Sequence, residues 1–89
     1  MKLHLRYFAS LREALGDGGL LEWRVPEACA SAPTVDALRR WLCTQSEAHA
    51  QALAPECPVR VAIDQTLALD TAPLRDGAEV AFFPPVTGG

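Results

Sequence analysis

The sequence has few lysines and no long hydrophobic run. Lys2 is the only lysine, and 8 Lys and Arg residues stand against 11 Asp and Glu residues, for a formal charge of -3. Binding to a nucleic-acid backbone needs a broad cationic surface, which this composition does not supply. The longest apolar run covers residues 80–83, whereas a membrane-spanning helix needs about 20 apolar residues. We therefore predict neither a nucleic-acid nor a membrane partner.

The cysteines and histidines lack the close spacing that metal sites and disulfide frameworks require. Cys29, Cys43 and Cys57 are odd in number and form no C-x-x-C pair. His4 and His49 are isolated from each other and from the cysteines, so we predict no zinc site. Residues 1–6 alternate apolar with polar residues and do not form the apolar stretch of a secretory signal. We expect a cytoplasmic protein.

Periodicity predicts a short mixed chain of strands and helices. Apolar and polar residues alternate in five segments typical of half-buried strands, over 2–8, 21–25, 59–63, 67–69 and 79–83. Ser10 and Glu13 fit a capping box that begins a short helix. The Asp17-Gly18-Gly19 run predicts a turn after that helix.

The main helix is predicted to begin after Thr34, which is a good N-cap residue. Val35, Leu38 and Leu42 recur at helical spacing and should face the core. The charged residues of this segment, Asp36, Arg39 and Arg40, should lie in solvent. A looser helical continuation runs through His49 to Leu53.

This order of elements favours an α+β protein of the β-grasp type, with a mixed sheet of about five strands curled around one main helix. Residues 1–83 form the ubiquitin-like domain, and residues 84–89 form an extended tail. The apolar phases of the elements predict a core that contains Leu5, Leu38, Leu42, Val61, Ile63 and Val80. Phe82 and Phe83 should point to opposite faces of the sheet, so that one is buried and the other lies at a surface or an interface.

The tail Pro84-Pro85-Val86-Thr87-Gly88-Gly89 follows the last strand directly. Its prolines favour an extended exit from the sheet, and six extended residues reach roughly 20 Å. The two glycines have no Cβ, so this segment is thin enough to enter a narrow pocket. We predict that it projects and makes few contacts with its own domain.

Four segments together resemble the small subunits of molybdopterin synthase, which are ubiquitin-like sulfur carriers. They are residues 70–89 with their ending Phe-Phe-Pro-Pro-Val-Thr-Gly-Gly, Phe8-Ala9-Ser10-Leu11-Arg12-Glu13, Pro33-Thr34-Val35-Asp36-Ala37-Leu38-Arg39, and Ala62-Ile63-Asp64-Gln65. The resemblance covers essentially the whole chain. Two positions depart from the family pattern: Asp64 replaces a common Asn, and Ala78 replaces a common second Asp.

The resemblance implies a role for Gly89. An ATP-using enzyme would convert its carboxylate to an acyl-adenylate and then to a thiocarboxylate, whose sulfur attacks a pterin precursor inside the large subunit. Two such sulfurs make the dithiolene that later holds molybdenum. The chain itself would bind no cofactor, and the family suggests two small subunits at the ends of a large-subunit dimer. The expected partner-binding residues are Phe8, Phe83, Pro84, Pro85, Val86, Thr87 and Gly88.

The residues show no catalytic constellation of their own, since no serine lies in a nucleophile elbow and no glycine-rich phosphate loop follows a strand. Two alternatives to the molybdopterin carrier remain. One is a carrier for another pathway, such as thiamine, cysteine or tRNA thiolation, which the same fold permits. The other is a β-grasp interaction module that binds through its sheet and has an inert tail.

Overall fold

A computed structural model describes residues 1–27 and 33–85 of the chain. The strands are β1 (Lys2–Tyr7), β2 (Gly18–Glu22), β3 (Arg60–Ile63), β4 (Thr66–Ala68) and β5 (Glu79–Phe83). The helices are α1 (Ala9–Leu15), α2 (Val35–Cys43) and α3 (Glu47–Ala52). The part of the chain that is described contains no helix long and apolar enough to cross a membrane.

The strands form a five-stranded sheet in the order β2-β1-β5-β3-β4. β1 and β5 are parallel neighbours at its centre, and the other pairs are antiparallel. Since the first and last strands cannot be joined by a hairpin, the chain between them crosses over the sheet and supplies its helices. The predicted α+β β-grasp arrangement is confirmed.

The core lies between the inner face of the sheet and the helices. The predicted residues Leu5, Leu38, Leu42, Val61 and Val80 are buried. Ile63 is only half-buried, because it is the last residue of β3 before an exposed turn. Further side chains with almost no exposure complete the core, among them Leu3, Trp23, Val35, Leu53 and Phe82.

The predicted N-cap of the main helix is confirmed, because the Ala37 amide donates to the Thr34 hydroxyl at 3.2 Å. The capping box at Ser10 is wrong. Helix α1 already begins at Ala9, with Phe8 as its N-cap, so Ser10 lies inside the helix. Ala9 has a φ of 54°, a left-handed conformation that turns the chain from β1 into α1 without a side-chain cap.

Helix α3 is a separate helix and not a continuation of α2. The Ser46 hydroxyl caps it by accepting from the His49 amide at 3.1 Å. Residues 44–46 between the two helices are not helical. A new N-cap lets α3 take its own direction, which the looser apolar pattern of this segment did not reveal.

Strand β2 begins three residues earlier than the alternation predicts, at Gly18 instead of Leu21. Gly18 has a φ of +94°, and a Cβ at this position would collide with the backbone carbonyl of Leu5. This glycine therefore permits the close approach of β2 to β1 and is not part of a turn between them. Trp23, predicted within the strand, lies just beyond its end and is buried.

Arg39 was expected in solvent but is 5% exposed. Its Nε donates to the Leu53 carbonyl at 2.7 Å, and its Nη2 donates to the carbonyls of Ala54 and Cys57 at 2.6 and 2.8 Å. Its Nη1 lies 3.6 Å from the Asp70 carboxylate. A buried guanidinium is tolerated when its donors are satisfied, and here it joins α2 to the loop that follows α3.

The predicted β3–β4 hairpin is confirmed, with a two-residue turn at Asp64 and Gln65. Both residues have positive φ, 50° and 68°, as turns of type I′ require. The Asp64 carboxylate accepts from the Glu79 amide at 3.0 Å and from Arg75. The hydrogen bond from the Glu79 amide, together with the ion pair to Arg75, holds the pKa of Asp64 below its usual range. The same hydrogen bond ties the turn to the start of β5.

Candidate functional site

The end of β5 is the point from which the predicted tail leaves the domain. The Phe8 amide donates to the Phe82 carbonyl at 3.2 Å on one side, and Arg60 of β3 pairs with Phe83 on the other. The chain therefore leaves from the centre of the sheet and not from an edge. Pro84 and Pro85 are half-buried and follow immediately, and Pro84 has no N–H to continue the ladder.

Phe82 and Phe83 point to opposite faces of the sheet, as the alternation predicts. Phe82 is fully buried and stacks on Tyr7 with ring centroids 6.0 Å apart. Phe83 is half-buried on the outer face, which no helix covers in the described part of the chain. Phe8 is 39% exposed, and its extended backbone continues the alternation of β1 onto this same outer face.

The structure thus brings four of the predicted partner-binding residues to one end of the sheet: Phe8, Phe83, Pro84 and Pro85. Val86, Thr87, Gly88 and Gly89 lie outside the described residues, as does Cys29. The prediction that the tail projects therefore stays a prediction.

Two arginines lie beside the aromatic residues of the outer face, Arg6 next to Phe8 and Arg60 next to Phe83. The Arg6 guanidinium lies 5.1 Å from the centroid of the Phe8 ring and 3.9 Å from the Glu79 carboxylate. A cation in this position is attracted to the ring and limits its rotation. Arg60, the exposed cross-strand neighbour of Phe83, adds a second positive charge. The sequence analysis did not identify these arginines, although their strand phase placed them on the outer face.

Two exposed leucines, one on β4 and one directly after it, extend the outer surface. Leu67 is 66% exposed and pairs with Ala62 on the outer face, and Leu69 is 76% exposed. From the sequence, Leu67 and Leu69 were predicted only as part of a strand. Strand alternation could have indicated their exposure. Ala68 pairs with the buried Val61 and faces the core, so its neighbours Leu67 and Leu69 point outward.

His49, Tyr7 and Cys43 are packed into the body of the domain. His49 bonds to the Ser46 hydroxyl through Nδ1 at 2.7 Å and packs edge-on against Tyr7. Burial raises the pKa of Tyr7 to about 12 and raises the pKa of the Cys43 thiol. Within residues 1–27 and 33–85 no group of three or more His, Cys, Asp and Glu could hold a metal ion.

Both the body and the tail of this chain are similar to known proteins. The model of the ThiS family matches residues 5–89, which include both the body and the tail. The chain belongs to the ThiS family. It is 45% identical over 83 residues to the molybdopterin synthase sulfur carrier subunit of Escherichia coli, and the match covers 93% of this chain and 94% of that protein.

Two solved structures of similar proteins have the same fold. The putative molybdopterin converting factor subunit 1 of Pyrococcus furiosus superposes with a TM-score of 0.71 at 25% identity, covering 97% of this chain and 99% of that one. A complex of subunits 1 and 2 of the molybdopterin-converting factor from Helicobacter pylori contains a chain with a TM-score of 0.64 at 21% identity, and each chain is fully covered.

As a member of the ThiS family, the chain has its candidate site where a rigid body meets the start of a tail. The body positions the exit through the central β1–β5–β3 pairing. The outer face offers aromatic and cationic side chains beside that exit. This arrangement fixes the start of the tail beside the aromatic and cationic side chains of the outer face.

Proposed function

We propose that this protein is the sulfur carrier subunit of a molybdopterin synthase. The observation that carries the proposal is the match to a named sulfur carrier subunit at 45% identity over 93% of the chain. The match of the family model, over residues 5–89, includes the Gly-Gly tail. The tail exit supports it, because residues 84–89 follow a central strand and reach roughly 20 Å when extended. A terminus that must enter a partner's active site needs both the fixed origin and the reach.

The chemistry proposed for Gly89 starts from an ordinary carboxylate. A terminal carboxylate is ionised at neutral pH and is a poor electrophile. Attack of one carboxylate oxygen on the α-phosphate of ATP gives an acyl-adenylate and releases pyrophosphate. A sulfide-level nucleophile then attacks the carbonyl carbon and displaces AMP, which gives a thiocarboxylate with no change of oxidation state. Its soft sulfur is a good nucleophile toward the pterin precursor.

This assignment gives the chain two partners in succession. An ATP-dependent adenylating and sulfurating enzyme activates Gly89, and the large subunit of the synthase receives the thiocarboxylate. The similarity to a named subunit and to a chain solved in a two-subunit complex supports the second partner. We propose a heterotetramer with two copies of this chain on a large-subunit dimer, located in the cytoplasm, where ATP and the activating enzyme are available.

Within the synthase, the body would dock through its outer face. Phe8 and Phe83 are partly exposed aromatic residues beside the tail exit, and such residues are enriched at the anchor positions of interfaces. Arg6 and Arg60 add charges that orient the approach of a partner. Docking of the body fixes the origin of the tail, and the tail then sets the position of Gly89.

Reconstitution tests the proposal. The purified chain is incubated with ATP, a sulfur donor and the activating enzyme, and mass spectrometry should show one oxygen replaced by sulfur. Adding the large subunit and the pterin precursor should then give molybdopterin. A thiocarboxylate that gives no dithiolene product would indicate a carrier for another pathway. An unchanged mass with every candidate activating enzyme would indicate an interaction module.

A further inference from the structure

A groove of about 540 Å³ lies between α1 and α3, on the helix side of the sheet. Most of its lining is apolar, with Leu11 as a buried residue beneath exposed small side chains. Its lining residues are Ser10, Leu11, Ala14, Ala48, Gln51, Ala52, Cys57 and Pro58. The small side chains of both helices leave room for a side chain from outside.

The groove begins beside the tail exit. Ser10 is two residues beyond Phe8, whose amide bonds to the end of β5. On the other side, Pro58 is two residues before Arg60, the partner of Phe83. A partner that buries about 800 Å² around the exit covers a disc of about 16 Å radius. The groove therefore borders the tail exit and lies within reach of a partner that takes the tail.

Hydrogen bonds from Arg39 and to Gln51 hold the Cys57 side of the groove in place. The buried Arg39 guanidinium donates to the Ala54 and Cys57 carbonyls, and the Cys57 thiol donates to the Gln51 carbonyl at 3.3 Å. These bonds fix the loop after α3 to both α2 and α3. A preformed site loses less conformational entropy when it is filled, which favours docking.

The charges next to the groove are mostly negative, since Arg12, which follows Leu11, is paired with Asp17. Glu13, Glu47 and Glu56 are exposed, and each is adjacent in sequence to a lining residue. Gln51, which lines the groove, donates to the Glu47 carboxylate at 3.4 Å. The outer face on the other side of the exit instead carries Arg6 and Arg60. A segment that fits the groove should therefore be apolar at its centre and basic at its flanks.

We propose that the α1–α3 groove is a second docking surface for the large subunit, and that it receives an apolar segment flanked by Lys or Arg. The proposal rests on the proposed function, because that function supplies the partner which takes the tail. The large subunit would then hold the carrier on both sides of the tail exit. Contact on two sides fixes the rotation of the body, and with it the direction in which the tail leaves.

The first experiment fills the groove. Ala48 is exposed, so Ala48→Trp adds bulk to the groove without disturbing the core. The matched control is Gln45→Trp, at an exposed position between α2 and α3 that does not line the groove. The measurement is the Kd for the purified large subunit by calorimetry, with circular dichroism to establish that each variant is folded. We expect a loss of about tenfold or more for Ala48→Trp and less than about twofold for the control.

The second experiment reverses charge. Glu13→Lys combined with Glu56→Lys should weaken binding by about three- to tenfold at low salt, and the effect should shrink in high salt. Glu22→Lys is the control, because Glu22 is exposed on β2 and pairs with Lys2 at the end of the sheet away from the tail. We expect its Kd to stay within about twofold of the unmodified chain.

These measurements separate the groove from the proposed function. If the unmodified thiocarboxylate carrier binds the large subunit and makes product, and folded Ala48→Trp binds equally well, the groove proposal is overturned and the function stands. If Ala48→Trp blocks only the activation of Gly89, the occupant is the activating enzyme and the proposal is again wrong. If the unmodified carrier makes no product with any large subunit, the proposed function itself fails.

Discussion

The inner and outer faces of the sheet differ in what covers them, and Phe82 and Phe83 show the difference between adjacent residues. Phe82 is closed off by the helices and stacks on Tyr7, whereas Phe83 lies on the uncovered face beside Arg60. The inner face therefore determines whether the domain folds. The outer face is available for recognition, and the tail beyond it carries the proposed chemistry. Substitutions in the three places should change three different measurements.

The largest effect should come from the tail. Deleting Gly89, or adding one residue after it, shifts the terminus by roughly 3.3 Å, and a misplacement of about 1 Å already costs about 100-fold in rate. We expect sulfur transfer to be abolished while folding is unchanged. Binding to the large subunit should weaken far less, because the body still docks.

Circular dichroism, calorimetry and product formation on the same Gly89 variants measure the three properties. Product formed at nearly the normal rate would rule out the carrier mechanism. A loss of folding would contradict the separation between tail and body.

The next largest effect should come from the inner face. Leu38 is fully buried on the face of α2 that packs on the sheet, so Leu38→Ala should reduce the free energy of unfolding by about 2–5 kcal/mol. A domain of this size has a total stability of about that magnitude. Urea titration measures the change, and a value near zero would contradict the described core.

A smaller effect is expected on the outer face. Phe83→Ala should weaken binding to the large subunit by about tenfold, and Phe8→Ala should have a similar or smaller effect. Both should change stability far less than Phe82→Ala, which would leave a cavity in the core. Calorimetry and urea titration of the three variants compare the faces. Equal losses of stability for Phe82→Ala and Phe83→Ala would remove the distinction between them.

The smallest effect concerns the β3–β4 turn, which Asp64 ties to the start of β5. The Glu79 amide and Arg75 lower the pKa of Asp64 in the folded state. Its contribution to stability is therefore present above the ordinary aspartate pKa of 3.8 and is lost as the pH falls through the lower pKa of the folded state. Asp64→Asn keeps a residue suited to the turn, and its side-chain oxygen can still accept the hydrogen bond from the Glu79 amide. The Asn side chain does not titrate in this pH range.

We expect the Asn variant to be slightly less stable than the native protein at pH 7, and the difference to shrink on acidification because the native carboxyl becomes protonated. Thermal unfolding measured between pH 7 and pH 3 tests this. An equal loss in both proteins would show that Asp64 does not contribute to the acid sensitivity.

The sequence predicted the strands in which apolar and polar residues alternate strongly, and the helix that begins after Thr34. Alternation and N-caps are local patterns, so they can be recognised without the fold. It placed β2 wrongly because Gly18 was interpreted as a turn, whereas its role is to admit the Leu5 carbonyl. Arg39 was placed in solvent because the carbonyls that bind it come from 14 to 18 residues away along the chain. Contacts of that range cannot be deduced from periodicity.

For the candidate site, Phe8 and Phe83 followed from strand phase and resemblance, and the structure brings both to the exit. Arg60 did not emerge because it matters only as the cross-strand neighbour of Phe83, and the register that joins them is a property of the folded sheet. The α1–α3 groove was equally hidden, because it exists only where two short helices with small side chains pack side by side.

The central position of β5 has a consequence for synthesis of the protein. Its neighbours β1 and β3 cannot complete the sheet until residues 79–83 have been made, because β5 lies between them. A chain terminated before this strand lacks the middle of its sheet and cannot display the outer face. A partner that recognises the finished outer face would therefore bind only chains that extend at least to the end of β5.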